Sequence, residues 1–186
     1  MIRILGISGS LRRASYNTAL LRAAQGMMPE GAELVEGSIR GIPLYDGDEE
    51  AASGLPPAVE ALKDQIAGAA GVLLFSPEYN NSVPGVFKNA IDWASRPAGD
   101  IPRVFGGKPV AVLGASPGGF GTILGQDAWL SVLRTLGTRP WFEGRLMVAR
   151  AGSVFDEDGR MTDEPTRDRL RTFVEGFAAF AASQSG

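Results

Sequence analysis

Apolar and polar positions along the chain alternate in blocks that predict strands and helices in turn. Continuous apolar runs are typical of strands buried on both faces of a parallel sheet, and they occur at residues 2–7, 71–75 and 109–113. Shorter strands are predicted at residues 32–36 and, in two pieces around Gly144, at 140–150. Apolar residues at helical spacing predict one helix bearing Leu20, Leu21, Ala24 and Met28 and others at residues 55–69, 85–95, 122–136 and 163–182. The connections, including residues 42–45 and 102–107, are predicted to be loops.

These five strand–helix units predict an α/β fold with a doubly wound, five-stranded parallel sheet and helices on both faces. The length of 186 residues favours one domain that spans residues 1–186. Ligands of such sheets bind beyond the carboxyl ends of the strands, at the point where the strand order reverses. The loops that follow the first, third and fourth strands are therefore expected to form one site.

The loop after the first strand is rich in hydroxyl and amide side chains and leads directly into a helix. A helix N-terminus attracts anions, and this loop can add donors or a charge from Ser10, Arg12 or Arg13, Ser15, Asn17 and Thr18. Neither G-x-x-x-x-G-K-S/T nor, at this turn, G-x-G-x-x-G is present. A loop of hydroxyls rather than glycines suits a phosphate monoester, of which flavin mononucleotide (FMN) is an example. The alternative is an ordinary helix N-cap, for which serine and asparagine are common.

Two further loops complete the candidate site. Residues 76–85 form a polar connection with prolines near both ends, in which Tyr79 offers a ring face and Asn80, Asn81 and the N–H groups of residues 78–80 offer hydrogen bonds. Such connections usually have about 2–6 residues, so the length of this one favours a binding role over a plain strand–helix turn. Residues 114–121 are glycine-rich, which lets the backbone approach a flat heterocycle closely.

Composition removes several classes of function. The chain has no histidine and no cysteine, which excludes a Ser-His-Asp triad, a thiolate nucleophile, disulfides and a sulfur-ligated metal site. We therefore predict no metal site and no catalytic side chain, and expect an organic cofactor to carry the chemistry.

The net charge is −3, with 18 basic and 21 acidic residues spread along the chain, so no nucleic-acid partner is expected. No apolar run approaches the roughly 20 residues of a membrane helix. Because the first strand begins almost at once, we expect no signal peptide and a cytoplasmic protein.

Three stretches resemble the NADPH-dependent FMN reductase family, and most closely its quinone and chromate reductase branch. They are Gly9-Ser10-Leu11-Arg12 with Ser15-Tyr16-Asn17, residues 76–85 with Lys88-Asn89-Ala90-Ile91-Asp92-Trp93, and Gly107-Lys108-Pro109-Val110. The similarity runs in order over residues 2–150, and the Pro-Glu-Tyr-Asn string with its helix is highly specific. The resemblance implies a flavodoxin-like fold, non-covalently bound FMN, and a homodimer or homotetramer.

The resemblance also implies roles for individual residues. The phosphate would be held by Ser10, Arg12, Ser15, Asn17 and Thr18, with Tyr16 among the cofactor-binding residues. One edge of the isoalloxazine ring would contact Pro77, Glu78, Tyr79 and Asn80. Its other side would border Ser116, Gly118 and Gly119.

The sequence therefore predicts an FMN-dependent oxidoreductase in which NADPH or NADH reduces the flavin, dissociates and is replaced by a small acceptor, with ping-pong kinetics. A quinone, chromate, an azo compound and free flavin are all open as acceptors. The alternative is a flavodoxin-type FMN electron carrier, although the near-balanced charge argues against the charged docking surface that such carriers need. A phosphate-ester-binding α/β protein without flavin is a third interpretation.

The helix predicted at residues 85–95 suggests a role in association. It carries Trp93 and, together with the residue after it, places Asp92 and Arg96 at i and i+4, where the simplest interpretation is a surface ion pair. Because this helix follows the predicted flavin loop, we hypothesise that it packs against a second subunit, by default in a C2 dimer.

Overall fold

Strands and helices alternate along residues 1–184, the part of the chain that the computed structural model describes. The strands are β1 (Ile2–Ser8), β2 (Ala32–Gly37), β3 (Gly71–Phe75), β4 (Pro109–Ala115), β5 (Arg139–Pro140) and β6 (Met147–Val148). The helices are α1 (Tyr16–Gln25), α2 (Gly47–Ser53), α3 (Pro57–Gly68), α4 (Gly85–Ala94), α5 (Ile101–Val104), α6 (Ile123–Thr135) and α7 (Glu164–Ser183). None of these helices is long and apolar enough to cross a membrane.

The parallel sheet has the strand order β2-β1-β3-β4-β5, which is the flavodoxin-like order. β5 and β6 both pair with β4, at Val110 and at Gly114 respectively, so together they occupy the position of one outer strand. The predicted doubly wound sheet is thus confirmed, and its fifth strand is divided around Gly144 as expected. The chain moves outward from β1 to β2 and then returns to β3, so the strand order reverses beside β1.

Helices cover both faces of the sheet. α1 and α7 pack on one face, where Leu20 and Phe177 belong to the same buried cluster. α3, α4 and α6 pack on the other face, where the rings of Phe87 and Trp129 meet edge-on with centroids 5.0 Å apart. β3 is buried along its whole length, which explains why its five residues are an uninterrupted apolar run.

Two short helices differ from the sequence prediction. α2 lies in a segment where no element was predicted, and it buries none of its residues. Asp46 caps it by accepting a hydrogen bond from the N–H of Asp48. α5 occupies part of the segment at residues 102–107 that was predicted to be a loop, so that prediction was wrong. Neither helix has a long apolar stripe, which is why periodicity gave no signal for them.

The ion pair expected between Asp92 and Arg96 does not form. Asp92 instead pairs with Lys88 at 2.7 Å, and Arg96 pairs with Glu50 of α2 at 2.9 Å. The hydrogen bond from Arg96 lowers the pKa of Glu50, and the hydrogen bond that Tyr45 donates to Glu50 raises the pKa of Tyr45. This network fastens the segment between β2 and α3 onto the end of α4.

The middle of α4 holds the same segment through backbone contacts. Asn89 donates from Nδ2 to the carbonyl of Pro43 at 2.8 Å and accepts from the N–H of Tyr45 at 2.9 Å. Trp93 is buried and donates its indole N–H to the same carbonyl of Pro43 at 2.9 Å. Trp93 therefore packs within its own chain rather than presenting its ring to a neighbouring subunit.

Candidate functional site

The carboxyl ends of β1, β3 and β4 lie side by side, and hydrogen bonds tie together the backbones that leave them. The N–H of Gly9 donates to the carbonyl of Phe75, and the N–H of Ser76 donates to the carbonyl of Leu113, each at 2.9 Å. The loops that follow the three strands therefore meet at one edge of the sheet, as the sequence predicted.

The first loop ends in a helix cap. Ser15 Oγ accepts hydrogen bonds from the backbone N–H groups of Asn17 and Thr18, at 3.2 and 3.4 Å. The carboxamide of Asn17 donates to the carbonyl and accepts from the N–H of Ala115, both at 2.9 Å, while Thr18 Oγ1 lies 2.9 Å from Ser8 Oγ. The capping role that was the alternative interpretation is thus present. The hydroxyl hydrogen of Ser15 and the second amide hydrogen of Asn17 have no acceptor within residues 1–184, so both can still donate to a ligand.

Basic and polar side chains of the same loop lie at the surface. The Arg12 guanidinium carbon lies 5.4 Å from the centre of the Tyr16 ring, which in turn stacks on Phe155 with centroids 6.0 Å apart. Ser10 Oγ accepts a hydrogen bond from the N–H of Arg12 at 3.3 Å. Arg13 makes no ion pair with a carboxylate of the described chain. The loop therefore presents positive charge next to the N-terminus of α1.

Hydrogen bonds from residues of α6 fix the second loop in place. Ser76 is buried, accepts a hydrogen bond from the Trp129 indole at 2.9 Å and donates to the carbonyl of Pro77 at 3.0 Å. Glu78 Oε2 accepts a hydrogen bond from the N–H of Gly125, in the first turn of α6, at 2.7 Å. A carboxylate is favourable at a helix N-terminus. The Glu78 carboxylate is therefore committed to joining this loop to α6 and is not placed as an acid or base.

The tip of the second loop is a tight turn. Tyr79 and Ser82 exchange backbone hydrogen bonds of 3.1 Å in both directions. The central residues Asn80 and Asn81 have φ of 51° and 61°, the left-handed conformation that a type I′ turn requires and that asparagine tolerates well. The turn is thus a structural reason for two asparagines that the sequence had suggested as ligand contacts. The ring of Tyr79 is half exposed at this tip.

The third loop has a fixed backbone with open space beside it. The N–H of Ser116 donates to the carbonyl of Val148 at 2.9 Å, and the N–H of Arg150 donates to the carbonyl of Gly118 at 2.9 Å. The N–H of Gly118 donates to Ser116 Oγ at 3.1 Å. A Cβ atom added at Gly119 would meet nothing within 4 Å. This stretch can therefore border a flat ring without rearrangement.

Gly9 and Gly114 have no side chain, and this lets the elements around the three loops lie close together. The sequence analysis did not predict this role for them. A Cβ at Gly9 would lie 2.2 Å from Cδ1 of the buried Phe87. A Cβ at Gly114 would lie 2.1 Å from the carbonyl oxygen of Ser76 and 2.8 Å from Thr122 Oγ1. Gly114 lies within β4, where a glycine often marks a close backbone approach, whereas Gly9 lies just beyond the end of β1 and gave no such signal.

Comparison with known proteins agrees with this geometry. A sequence model of the family described as NADPH-dependent FMN reductase matches residues 2–153. The chain belongs to this family. The match includes β1, β3 and β4 and all three loops of the candidate site.

Several known proteins align along nearly the whole chain. The NAD(P)H-dependent FMN reductase PA1204 of Pseudomonas aeruginosa is 46% identical over 170 residues, which are 91% of this chain and 90% of that protein. The 2-hydroxy-1,4-benzoquinone reductase of Burkholderia sp is 39% identical over 179 residues, which are 96% of each chain. Among solved structures, the flavoenzyme NAD(P)H:(acceptor) oxidoreductase FerB of Paracoccus denitrificans superposes with a TM-score of 0.87, with 35% identity and 99% of each chain covered.

The described residues fit the FMN that this family uses. The end of the site at α1 carries hydroxyl, amide and guanidinium donors, which are the groups that bind a phosphate monoester. The opposite end offers rigid backbone at residues 77–80 and 116–119, with no bulky side chain over Gly119. The buried hydroxyl of Ser15 and the amide of Asn17 each keep a hydrogen-bond donor for such a group.

Proposed function

We propose that the protein is an FMN-dependent NAD(P)H oxidoreductase that reduces a small acceptor. The observation that carries this proposal is the meeting of a donor-rich helix N-terminus with two rigid backbone edges at the carboxyl ends of β1, β3 and β4. One end of this arrangement suits a phosphate monoester and the other suits a flat ring. When bound, FMN supplies two-electron transfer between a nicotinamide donor and the acceptor.

Each part of the site has its own task in this proposal. The phosphate is bound by the N-terminus of α1 together with Ser10, Arg12, Ser15, Asn17 and Thr18. Tyr16 supports the guanidinium of Arg12. The ring is bordered on one edge by Pro77, Glu78, Tyr79 and Asn80 and on the other by Ser116, Gly118 and Gly119. Backbone N–H groups that are fixed in advance stabilise negative charge on the ring without reorganisation, so no side-chain acid or base is assigned.

A quinone is the acceptor that the surroundings of the site favour. Tyr79 and Phe120 expose aromatic rings on the second and third loops, and Phe120 is 87% exposed. Aromatic faces suit a planar aromatic acceptor better than a small oxyanion such as chromate. The Burkholderia relative is named for a benzoquinone substrate. Chromate, azo compounds and free flavin remain alternative acceptors.

We further propose that the protein is a homodimer or homotetramer that associates through α4 and α6. Trp93 is packed internally, but Val86 of α4 is exposed, and the exposed apolar residues Ile123, Leu124, Leu130 and Phe142 line one open cleft along α6. Exposed apolar residues grouped on one side of a molecule often mark an interface. Sedimentation that finds a fully active monomer at micromolar concentration would contradict the proposed association.

A cytoplasmic location, expected from the sequence, stays a prediction.

A single open ring face that serves donor and acceptor in turn gives ping-pong kinetics. The chain has no dinucleotide fingerprint after β1 that would provide a separate second site for the nicotinamide donor. Double-reciprocal plots against NADPH at several quinone concentrations are therefore expected to be parallel. The measurement is steady-state NADPH oxidation by the FMN-loaded protein.

Three other outcomes are informative. Intersecting lines would mean that donor and acceptor bind together, and the single-face arrangement would be wrong. An FMN-loaded protein that oxidises neither NADPH nor NADH would favour the alternative function, an electron carrier of the flavodoxin type. A protein that binds no FMN would favour the third interpretation.

A further inference from the structure

A basic cleft lies beside the first loop, on the side of β2. It has a volume of about 270 Å³ and its walls come from the β1–α1 loop, from α1 and from the segment that follows β2. Its charged residues are the four arginines Arg12, Arg13, Arg22 and Arg40 and one acid, Glu36. The cleft is thus strongly positive, although the chain as a whole has a net charge of −3.

These four arginines have no carboxylate partner within residues 1–184. Six arginines elsewhere pair with aspartate or glutamate: Arg3, Arg96, Arg103, Arg160, Arg167 and Arg171. In the cleft, Arg40 donates to the carbonyl of Leu11 at 2.9 Å, and Arg12 lies over Tyr16. Like charges held close together repel one another, so an anionic ligand in the cleft would be stabilised by all four.

The far end of the cleft is separate from the phosphate site at the start of α1. Arg22 lies six residues beyond Tyr16, the first residue of α1. This spacing corresponds to roughly 9 Å along the helix axis. Ser38 and Arg40 follow β2, which pairs with β1 on the side opposite to β3. One FMN phosphate at the N-terminus of α1 accounts for Ser10 and Arg12, but Arg22 and Arg40 still have no anionic partner within residues 1–184.

We propose that Arg22 and Arg40, with Arg13 and Ser38, bind the 2′-phosphate of NADPH and make the enzyme prefer NADPH to NADH. The inference rests on the proposed function, which supplies a nicotinamide dinucleotide as the electron donor. A phosphate monoester carries nearly two negative charges and matches the fork of an arginine guanidinium. In dinucleotide-binding folds an arginine likewise accommodates the 2′-phosphate of NADPH, whereas an acidic residue suits the 2′-hydroxyl of NADH. Glu36 in the same cleft therefore opposes the arginines.

The test uses the FMN-loaded protein and the probe 2′,5′-ADP, with 5′-AMP as the probe that lacks the 2′-phosphate. Titration calorimetry is expected to show that wild type binds 2′,5′-ADP at least tenfold more tightly than 5′-AMP. Arg22→Ala and Arg40→Ala are each expected to weaken 2′,5′-ADP at least tenfold and to lower the NADPH-to-NADH ratio of kcat/KM by a similar factor. Glu36→Gln is expected to raise that ratio at least twofold. Arg160→Ala, which removes an exposed arginine that precedes α7 and lies outside the cleft, is the control that changes neither quantity.

Separate measurements of FMN affinity show which phosphate the cleft binds. Arg12→Ala is expected to raise the Kd for FMN about tenfold, whereas Arg22→Ala leaves it within twofold of wild type. Equal loss of FMN affinity in both variants would assign the whole cleft to FMN and overturn the proposal. Inorganic phosphate that competes as strongly as 2′,5′-ADP, or a wild type that does not distinguish the two nucleotides, would also overturn it. Failure of the proposed function is distinguishable, because NADPH and NADH would then both go unoxidised whatever the 2′,5′-ADP titration gives.

Discussion

Replacing Gly114 with alanine is expected to destabilise the fold by about 3 kcal/mol, the upper part of the usual range for overpacking a tight core. The added Cβ would lie 2.1 Å from the carbonyl oxygen of Ser76 and 2.8 Å from Thr122 Oγ1, and Thr122 is fully buried. Either β4 must move away from β3 or the backbone at Ser76 and Pro77 must shift. Because that backbone leads into the proposed ring edge, FMN affinity is expected to fall at least about tenfold, or about 1.4 kcal/mol.

Thermal unfolding and fluorescence titration with FMN would measure the two effects of Gly114→Ala. For a chain of this length, a loss of 3 kcal/mol corresponds to a decrease in Tm of roughly 6–12 °C. Gly99→Ala is the matched control, since its Cβ would meet nothing within 4 Å and it lies outside the candidate site. If Gly114→Ala unfolds at the wild-type temperature and binds FMN normally, the close approach of β4 to Ser76 does not set the shape of the site.

The central strands were predictable because their burial requires a continuous apolar sequence. The runs at residues 2–7, 71–75 and 109–113 became β1, β3 and β4, each within two residues of the predicted end. The long helices were predictable for a related reason, since each must bury one apolar stripe against the sheet. The divided outer strand was also visible in the sequence, because Gly144 interrupts its apolar pattern.

α2 was not predictable from apolar periodicity because it buries nothing. Its sequence, Gly-Asp-Glu-Glu-Ala-Ala-Ser, has three acidic residues in its first turn, which is favourable at a helix N-terminus. Its tertiary contact is the pairing of Glu50 with Arg96, a residue 46 positions away. The same distant contact explains why the local pairing of Arg96 with Asp92 failed. Asp92 lies at the right spacing to pair with Arg96, but the fold places the less exposed carboxylate of Glu50 next to Arg96 instead.

The candidate site was predictable as a set of loops but not as a set of contacts. Topology alone brings the loops after β1, β3 and β4 together, so the donor-rich residues were correctly expected at one sheet edge. The contact of Glu78 with Gly125 joins residues 47 positions apart, and the bond from Trp129 to Ser76 joins residues 53 apart. No local pattern contains such pairs. The basic cleft was not predictable in the same way, because Arg40 follows the strand predicted at residues 32–36 but only the fold places that strand beside β1.

Replacing Asn17 with alanine is expected to destabilise the fold by about 2–6 kcal/mol, because two buried backbone groups lose their partners at about 1–3 kcal/mol each. The carboxamide of Asn17 donates to the carbonyl and accepts from the N–H of Ala115, and both residues are no more than 3% exposed. This pair of hydrogen bonds joins the start of α1 to the end of β4, 98 residues away. Its loss should separate the phosphate end of the site from the ring end, so FMN affinity is expected to fall as well.

Asn89→Ala is the matched control for Asn17→Ala. Asn89 makes the same pair of hydrogen bonds to backbone, with the carbonyl of Pro43 and the N–H of Tyr45, but in an exposed position. Water can replace those bonds, so the expected loss for Asn89→Ala is about 1 kcal/mol or less. Urea unfolding followed by circular dichroism would compare the two variants, and an FMN titration would follow each folded protein. Equal destabilisation by the two substitutions would mean that water reaches Ala115 in the variant. The hydrogen bonds of Asn17 would then not be what positions α1 against β4, and its remaining role would be that of a ligand contact.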